Sequence, residues 1–251
     1  MTTRILILGG TTEARELSAR LAGVAGVEAT LSLAGRTREP AAQALPVRRG
    51  GFGGADGLAG YLRDNGISLL IDATHPFAAQ ISANAARAAE IGGVALLALS
   101  RPEWQPQAGD RWTEVETLAE AAMALGAAPR RVLLAVGRQE VATFEAAPQH
   151  FYLVRSVDPV EPVPALPRAL YILSRGPFGV ADETALVSAN AIDTIVCKNS
   201  GGDATYAKIA AARDLGLEVI MVRRPAKPGV PTVSSVAEAA AHVAASAKRG
   251  E

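Results

Sequence analysis

The chain has 251 residues, and because 25 Lys and Arg balance 25 Asp and Glu, its formal net charge is zero. This balance excludes nucleic-acid binding through a general positive field, and the 4% aromatic content leaves few rings on which bases could stack. One cysteine and three histidines cannot build a Cys/His zinc site, so we expect neither a structural metal nor disulfides.

The first apolar run is short, because Ile5–Leu8 is followed directly by Gly9 and Gly10. A signal peptide needs an apolar core of about 7–15 residues and a membrane span needs about 20. We therefore expect a cytoplasmic protein without a membrane segment.

Short β-branched or aliphatic runs recur between alanine-rich stretches along the chain. Most runs are apolar on both faces, which is typical of parallel strands covered by helices, and the chain is therefore predicted to have an α/β fold. The nine predicted strands are Ile5–Leu8, Ala29–Leu33, Leu69–Asp72, Ala95–Leu99, Val132–Val136, Phe151–Val154, Tyr171–Ser174, Thr194–Cys197 and Val219–Val222.

The segment Arg101–Asp110 carries two prolines, a glycine and charged residues, and it interrupts the alternation of strands and helices. We place a domain boundary there, which predicts one domain over residues 1–100 and a second over residues 101–251. The amphipathic stretch Ser234–Lys248 is expected to form a helix that closes the second domain.

The turn after the first predicted strand has the composition of a phosphate site. Gly9, Gly10, Thr11 and Thr12 lead into a predicted helix, whose free N–H groups and dipole would stabilise an anion, and the two hydroxyls would add donors. Thr11 stands where the dinucleotide fingerprint has its second glycine, so a tight packing turn is the alternative.

The end of the second strand lacks the acidic residue that binds an unmodified ribose in NAD-dependent proteins. Ser32, Arg36 and Thr37 occur there instead, and such donors suit a ribose carrying a 2′-phosphate, which favours NADPH. A solvated loop is the alternative.

After the strand Leu69–Asp72, the sequence places Thr74 and His75 ahead of Pro76. In one interpretation Thr74 or His75 caps a helix whose first residue is Pro76. In the other, His75 projects beside the glycine turn, where its imidazole could donate a proton or a hydrogen bond near a nicotinamide. Both interpretations stay open.

Three predicted strand ends of the second half carry cations, and we expect them to converge on one anion site. These cations are Arg138, Arg175 and Lys198, and the last is followed by Asn199 and Ser200 as further donors. By contrast, Cys197 ends an apolar strand and is expected to be a buried small residue rather than a nucleophile.

In order and spacing, these motifs resemble those of the precorrin-6A reductase family of cobalamin biosynthesis. The segments that carry the resemblance are Ile5–Arg15, Asp72–Ala79, Gly137–Val141, Ser174–Phe178, Val196–Gly202 and Val222–Pro225. The resemblance spans nearly the whole chain. One difference is Ala14, which stands where many members have glycine, and a fingerprint of this kind tolerates it.

The resemblance implies a monomer of two Rossmann-like domains with mainly parallel sheets flanked by helices, and with NADPH and a tetrapyrrole in a cleft between them. It implies hydride transfer to a ring double bond of precorrin-6A, and it allows transient contacts with neighbouring pathway enzymes. Gly9 to Thr12 would bind the pyrophosphate, Ser32, Arg36 and Thr37 the 2′-phosphate, and Thr74 and His75 the nicotinamide ribose. The substrate carboxylates would fall to Arg138, Arg175, Lys198, Asn199 and Ser200.

The proton donor is not determined by the sequence. His75 and Lys198 are candidates, and water is a third. Two other functions stay open beside the reductase, namely a dinucleotide-binding sensor or carrier without catalysis and a reductase of another anionic metabolite. None of the four tyrosines has a lysine four residues later, which argues against the catalysis of short-chain dehydrogenases.

Overall fold

The computed structural model describes residues 2–35 and 42–249. Within that part the strands are β1 Thr3–Leu8, β2 Val27–Leu33, β3 Val47–Arg49, β4 Leu69–Asp72, β5 Ala95–Leu99, β6 Arg111–Val115, β7 Arg131–Ala135, β8 Phe151–Ser156, β9 Ala169–Leu173, β10 Thr194–Lys198, β11 Glu218–Val222 and β12 Thr232–Val233. The helices are α1 Thr12–Leu21, α2 Ala55–Asp64, α3 Ala79–Gly92, α4 Leu118–Ala124, α5 Val180–Ala189, α6 Ala207–Leu215 and α7 Val236–Arg249, with a 3₁₀ helix at Arg138–Ala146.

The described chain forms two compact units. Unit 1 holds the residues up to Pro102 and those from Pro225 onward, and unit 2 is Glu103–Arg224. Each unit has a six-stranded sheet in which every strand pair is parallel, in the orders β3-β2-β1-β4-β5-β12 and β9-β8-β7-β10-β11-β6. Both orders are those of the doubly wound dinucleotide-binding fold, so the predicted α/β class is confirmed.

The sixth strand of each sheet comes from an unexpected part of the chain. In unit 2 it is β6, which precedes the other five strands, whereas in unit 1 it is β12, which follows the whole of unit 2. β12 pairs with β5, since Thr232 lies opposite Ala98 and Val233 opposite Leu99. The sequence alone misses this return of the chain to unit 1 because a two-residue strand has no recognisable pattern.

The expectation that the C-terminal helix closes the second domain is wrong. Ala239 and Val243 of α7 are buried in the same core cluster as Leu17 and Leu21 of α1, which belongs to unit 1. Burial of a valine or leucine side chain stabilises a fold by about 1.5–3 kcal/mol. Burial of Val243 against Leu17 and Leu21 therefore holds α7 on unit 1. The part of the predicted second domain from residue 225 onward therefore belongs to the first unit.

Among the residues that the structure describes, nine of the twelve strands agree with predicted ones, and three are missed for a physical reason. β3 has three residues, of which two are arginines, and β6 is an edge strand with exposed or half-buried side chains throughout. β12 has two residues. Edge strands of this kind lack the continuous apolar run by which a central parallel strand is recognised.

The central strand β1 shows why the apolar runs are two-sided. Ile5 and Ile7 are buried in one cluster that includes α1 and α7, and Leu6 and Leu8 are buried in another with α2 and α3. In residues 2–35 and 42–249, no helix is both long and apolar enough to cross a membrane.

Candidate functional site

The carboxyl ends of three strands come together at the glycine turn. Leu8 of β1 lies opposite Ser32 of β2 and Asp72 of β4 in the parallel register. In a sheet of this order, ligands bind at the carboxyl ends of the strands, where the direction of chain winding reverses. The residues after β1, β2 and β4 are therefore neighbours in space as the sequence predicted.

Two glycines of the turn are required by geometry. A Cβ on Gly9 would lie 2.6 Å from Cδ1 of Leu31, which is closer than real contacts allow, and Gly10 has φ +117°, a left-handed conformation that favours glycine. The Gly9 N–H donates to the carbonyl of Ser32 at 2.9 Å. The turn thus brings the backbone to the N-terminus of α1 without side chains in the way, which is the geometry that a phosphate needs.

Thr11 has a different role from the predicted one. Its hydroxyl donates to the carbonyl of Ala73 at 2.8 Å and accepts from the Ala14 N–H at 3.1 Å, so it caps α1 and ties the turn to the end of β4. Because the hydroxyl proton is committed to Ala73, the side chain of Thr11 is not a phosphate donor. Thr12 is exposed at the first residue of α1, and the N–H groups of Thr12 and Glu13, unlike that of Ala14, are not used by the cap and can bind an anion.

A half-buried ion pair flanks the turn. Glu13, in the first turn of α1, accepts from Arg101 at 2.6 Å. A carboxylate at this position would repel a phosphate, and the guanidinium of Arg101 compensates its charge. Sequence reasoning missed Arg101, because 88 residues separate the two partners.

Asp72 organises the end of β4. Its side chain is buried, and Oδ1 accepts from the N–H of Thr74 at 3.1 Å and from its hydroxyl at 2.6 Å. Oδ2 accepts from Ser82 at 2.5 Å and lies 4.0 Å from Nζ of Lys227. The sequence did not single out Asp72, since a carboxylate that ends a strand has no distinguishing pattern.

The capping interpretation of Thr74 and His75 is wrong. α3 begins at Ala79 with Ala78 as its cap, and Pro76 lies before the helix. Thr74 bonds to Asp72 instead, and Nδ1 of His75 accepts from the Phe77 N–H at 3.2 Å. With Nδ1 as the acceptor, a neutral imidazole carries its proton on Nε2, which makes Nε2 a hydrogen-bond donor.

A cavity of about 180 Å³ lies beside the glycine turn. Its walls come from the ends of β1, β2 and β4, from the glycine-rich loop after β3 and from α3, and they include Gly9, Ser32, Thr74, Ile81 and Asn84. The loop is Gly50–Gly54, in which four of the five residues are glycine, and it is absent from the residues predicted for the site. Ser32 is thus on the cavity, whereas Arg36 and Thr37 lie outside the described residues.

Arg48 and Phe52 hold the glycine-rich loop in place. The Arg48 guanidinium donates to the carbonyls of Gly50 at 2.5 Å and Gly51 at 2.7 Å, and it stacks on the Phe52 ring at 3.7 Å from the ring centroid. A partly exposed stack of this kind contributes about 0.5–1 kcal/mol. The loop is therefore a shaped wall of the cavity.

Gly57 of α2 offers a direct test of that wall. A Cβ there would lie 1.8 Å from the carbonyl oxygen of Phe52, so we expect Gly57→Ala to displace the loop, to destabilise the protein by about 1–3 kcal/mol and to weaken binding of a dinucleotide by about tenfold. The measurement is urea unfolding together with calorimetric titration of NADPH.

Gly60→Ala is the matched control in the same helix, because its Cβ would meet only the far end of Arg63, at 3.7 Å. That variant should be as stable as the parent or more stable, by up to about 1 kcal/mol, through helix propensity. Equal affinities for NADPH in both variants would contradict the role of the loop as a cavity wall.

In unit 2, two of the predicted cationic positions are adjacent. Lys198 ends β10, Arg138 begins the 3₁₀ helix directly after β7, and β10 and β7 are neighbouring strands. Nζ of Lys198 donates to Glu140, and this pair is only partly exposed. The predicted cationic cluster therefore also contains a carboxylate, Glu140.

Arg175 is more distant than expected. It follows β9, and β8 lies between β9 and β7 in the sheet, so the three cationic strand ends are not consecutive. Arg175 is exposed. The predicted strand Phe151–Val154 separates the strand ends of Arg138 and Arg175 along the chain as well.

Asn199 is a structural residue rather than a free donor. Its side chain is buried, and it accepts from the Trp104 N–H at 2.9 Å and donates to the Trp104 carbonyl at 3.0 Å. Both ends of the amide are committed, so its predicted contact with substrate is wrong. Ser200 is half-buried on the same loop.

Cys197 is fully buried, and burial raises the pKa of its thiol. A raised pKa disfavours the thiolate that a nucleophile needs. The expectation of a buried cysteine is confirmed.

Comparisons with known proteins agree on one family. Residues 4–244 match the family described as "Precorrin-6x reductase CbiJ/CobK". A precorrin-6A reductase from Sinorhizobium sp is 61% identical over 241 residues, which are 96% of this chain and 92% of that protein. A precorrin-6A reductase from Rhodobacter capsulatus is 55% identical over 226 residues, 90% of each chain. A solved structure named "CobK precorrin-6A reductase" has a TM-score of 0.92 at 50% identity and covers 97% of each chain.

Proposed function

The chain belongs to the precorrin-6x reductase family, and from this premise we propose that it reduces precorrin-6A with NADPH as the hydride donor. It is an oxidoreductase of cobalamin biosynthesis that acts on a ring C=C bond. The observation that carries the cofactor proposal is the turn at Gly9 and Gly10, which has no room for a Cβ at Gly9 and leads into the N-terminus of α1.

The residues of unit 1 fit a dinucleotide. The pyrophosphate would lie on the backbone of Gly9, Gly10, Thr11 and Thr12, and the adenosine would enter the cavity beside Ser32. Thr74 and His75 would face the nicotinamide ribose from the end of β4. When bound, NADPH supplies the hydride, and the protein supplies orientation and a fixed arrangement of donors.

The choice of NADPH over NADH would depend on Ser32, Arg36 and Thr37. We expect Arg36→Ala to lower the preference for NADPH by about tenfold, because a phosphate loses a charged hydrogen bond while the other donors stay. The measurement is the ratio of kcat/KM for NADPH and NADH.

Arg20→Ala is the control for a change of net charge, since Arg20 lies in the last turn of α1, at the opposite end from the glycine turn. It should leave the ratio unchanged. If Arg36→Ala also leaves the ratio unchanged, the proposed 2′-phosphate site is wrong.

The donors of unit 2 suit a tetrapyrrole with many carboxylates. Lys198 and Arg138 lie at the ends of the neighbouring strands β10 and β7, Arg175 follows β9 at the same edge of the sheet, and Ser200 adds a hydroxyl. We assign the substrate carboxylates to these four residues, with Asn199 left out because its amide is committed to Trp104.

The reduction also needs a proton at the carbon next to the one that receives hydride. Nε2 of His75 is a candidate donor, because the bond to Phe77 orients the ring and leaves the proton on Nε2. Nζ of Lys198 is the second candidate. To decide between them, each residue is replaced in turn and the single-turnover rate is measured as a function of pH. Replacement of the true donor should lower this rate and change its pH dependence.

The decisive experiment mixes the protein with metal-free precorrin-6A and NADPH deuterated at the transferable position. We expect a pigment heavier by one deuteron and one proton, with shortened conjugation. An unchanged pigment with tightly bound, intact NADPH would favour a sensor or carrier. Reduction of only the cobalt-containing pigment would assign the protein to the oxygen-independent branch.

The proposal extends to the state of the protein in the cell, namely a cytoplasmic monomer that contacts neighbouring pathway enzymes transiently. Sedimentation equilibrium at micromolar concentration tests the oligomeric state, and the expected mass is that of a single 25.9 kDa chain.

A further inference from the structure

We propose that Trp104, Asn199 and Arg224 are positioning residues that hold the loop Lys198–Gly202 in the conformation that binds substrate carboxylates. This inference rests on the proposed function of that loop. None of the three side chains is assigned a contact with substrate, and each acts through the loop.

The amide of Asn199 anchors the start of the loop. It makes a two-sided bridge with the backbone of Trp104, at 2.9 Å to the N–H and 3.0 Å to the carbonyl. Both residues are buried, with 3% and 7% of their surface exposed. A buried amide whose donor and acceptor are both satisfied has one favourable orientation, so the backbone beside Lys198 is fixed.

The indole of Trp104 anchors the end of the loop. Its Nε1 donates to the carbonyl of Gly202 at 2.8 Å. Nζ of Lys208 lies 4.5 Å from the centroid of the ring and donates to the carbonyl of Thr205 at 2.6 Å. The ring is therefore held on one side by a cation while its edge holds the loop.

Arg224 holds the middle of the loop from another segment. Its Nε donates to the carbonyl of Asn199 at 2.8 Å, and one terminal nitrogen donates to the carbonyl of Ser200 at 3.0 Å. Trp104 and Arg224 lie at the two ends of unit 2, which is Glu103–Arg224. The loop is thus hydrogen-bonded to both segments by which the chain enters and leaves this unit.

The loop needs these anchors because its own sequence is permissive. Gly201 and Gly202 have φ +67° and +70°, and glycine loses more backbone freedom on ordering than any other residue. A loop that is ordered before substrate arrives does not incur that entropic cost on binding. Loosening the anchors should therefore raise the KM for the tetrapyrrole and leave the binding of NADPH unchanged.

The first test is Trp104→Phe, which keeps an aromatic ring but removes the N–H that bonds to Gly202. We expect the KM for precorrin-6A to rise by about threefold to tenfold, with kcat and the KM for NADPH within a factor of two. Trp112→Phe is the matched control, because Nε1 of Trp112 is buried without a hydrogen-bond partner in the described chain. It should leave all three constants unchanged.

A second pair covers the case in which Trp104→Phe fails to fold. Arg224→Lys keeps the charge but loses the fork that bonds to two carbonyls, and Arg223→Lys changes the neighbouring arginine, which pairs with Glu114 and Glu116. Only the first should raise the KM for the tetrapyrrole.

Amide hydrogen exchange measures the order of the loop without any catalytic reaction. In the anchor variants, peptides that cover residues 200–205 should exchange at least threefold faster than in the control variants. Unchanged exchange there, or a KM unchanged in both anchor variants while Lys198→Met raises it, would overturn the proposal and leave the reductase function standing. If exchange is faster in the anchor variants but the parent protein does not reduce precorrin-6A, the anchoring role stands and the proposed function is wrong.

Discussion

Replacing Lys198 by methionine should raise the KM for precorrin-6A by about 10- to 100-fold and leave the KM for NADPH nearly unchanged. The methionine keeps the length of the side chain but removes the ammonium group. In the parent protein that group pairs with Glu140, so the variant also exposes an unpaired carboxylate to the carboxylates of the substrate. Steady-state kinetics with each substrate varied in turn measures both effects.

The double variant Lys198→Met/Glu140→Gln separates loss of attraction from new repulsion. It removes both charges, and part of the lost affinity should return. A higher salt concentration should also reduce the difference in KM for precorrin-6A between Lys198→Met and the parent protein, because salt screens partly exposed charges. If Lys198→Met weakens the binding of NADPH as much as that of precorrin-6A, the assignment of Lys198 to the tetrapyrrole is wrong.

Glu183→Gln should destabilise unit 2 by about 3–5 kcal/mol. Glu183 is 2% exposed and accepts from Arg155, which is 8% exposed and stacks on the Phe178 ring at 4.1 Å. Glutamine has nearly the same shape, but it leaves the guanidinium buried without a counter-charge. Urea unfolding followed by tryptophan fluorescence measures this change in unit 2, because both tryptophans, Trp104 and Trp112, belong to it.

An apolar replacement of both partners is the informative comparison. Arg155→Met/Glu183→Leu removes the two charges together, so no buried charge is left unpaired, and the double variant should be close to the parent in stability. A single variant Glu183→Gln as stable as the parent would show that water or a rearranged side chain compensates Arg155.

Ser32 and the glycine turn could be predicted because the carboxyl ends of parallel strands are where ligands bind, and their residues follow apolar runs that are visible in the sequence. Residue type and position directly after a strand predict Thr11 and Asn199 as ligand donors. In the structure the Thr11 hydroxyl bonds to the backbone of Ala73 and Ala14, and the Asn199 amide bonds to the backbone of Trp104. Backbone partners have no residue-type signal by which the sequence could reveal them.

By itself the sequence determined the α/β class, the parallel strands, the glycine turn and, through ordered motifs, the family. These features are local, since an apolar run or a turn depends on residues that are close along the chain. Tertiary structure alone decided the return of β12 to the sheet of unit 1, the place of α7 on unit 1, the pairing of Glu13 with Arg101 and the anchoring of Asn199 by Trp104. Each of these joins segments that are far apart in the chain, and such contacts are selected by burial and by satisfaction of polar groups in the finished fold, which no local pattern encodes.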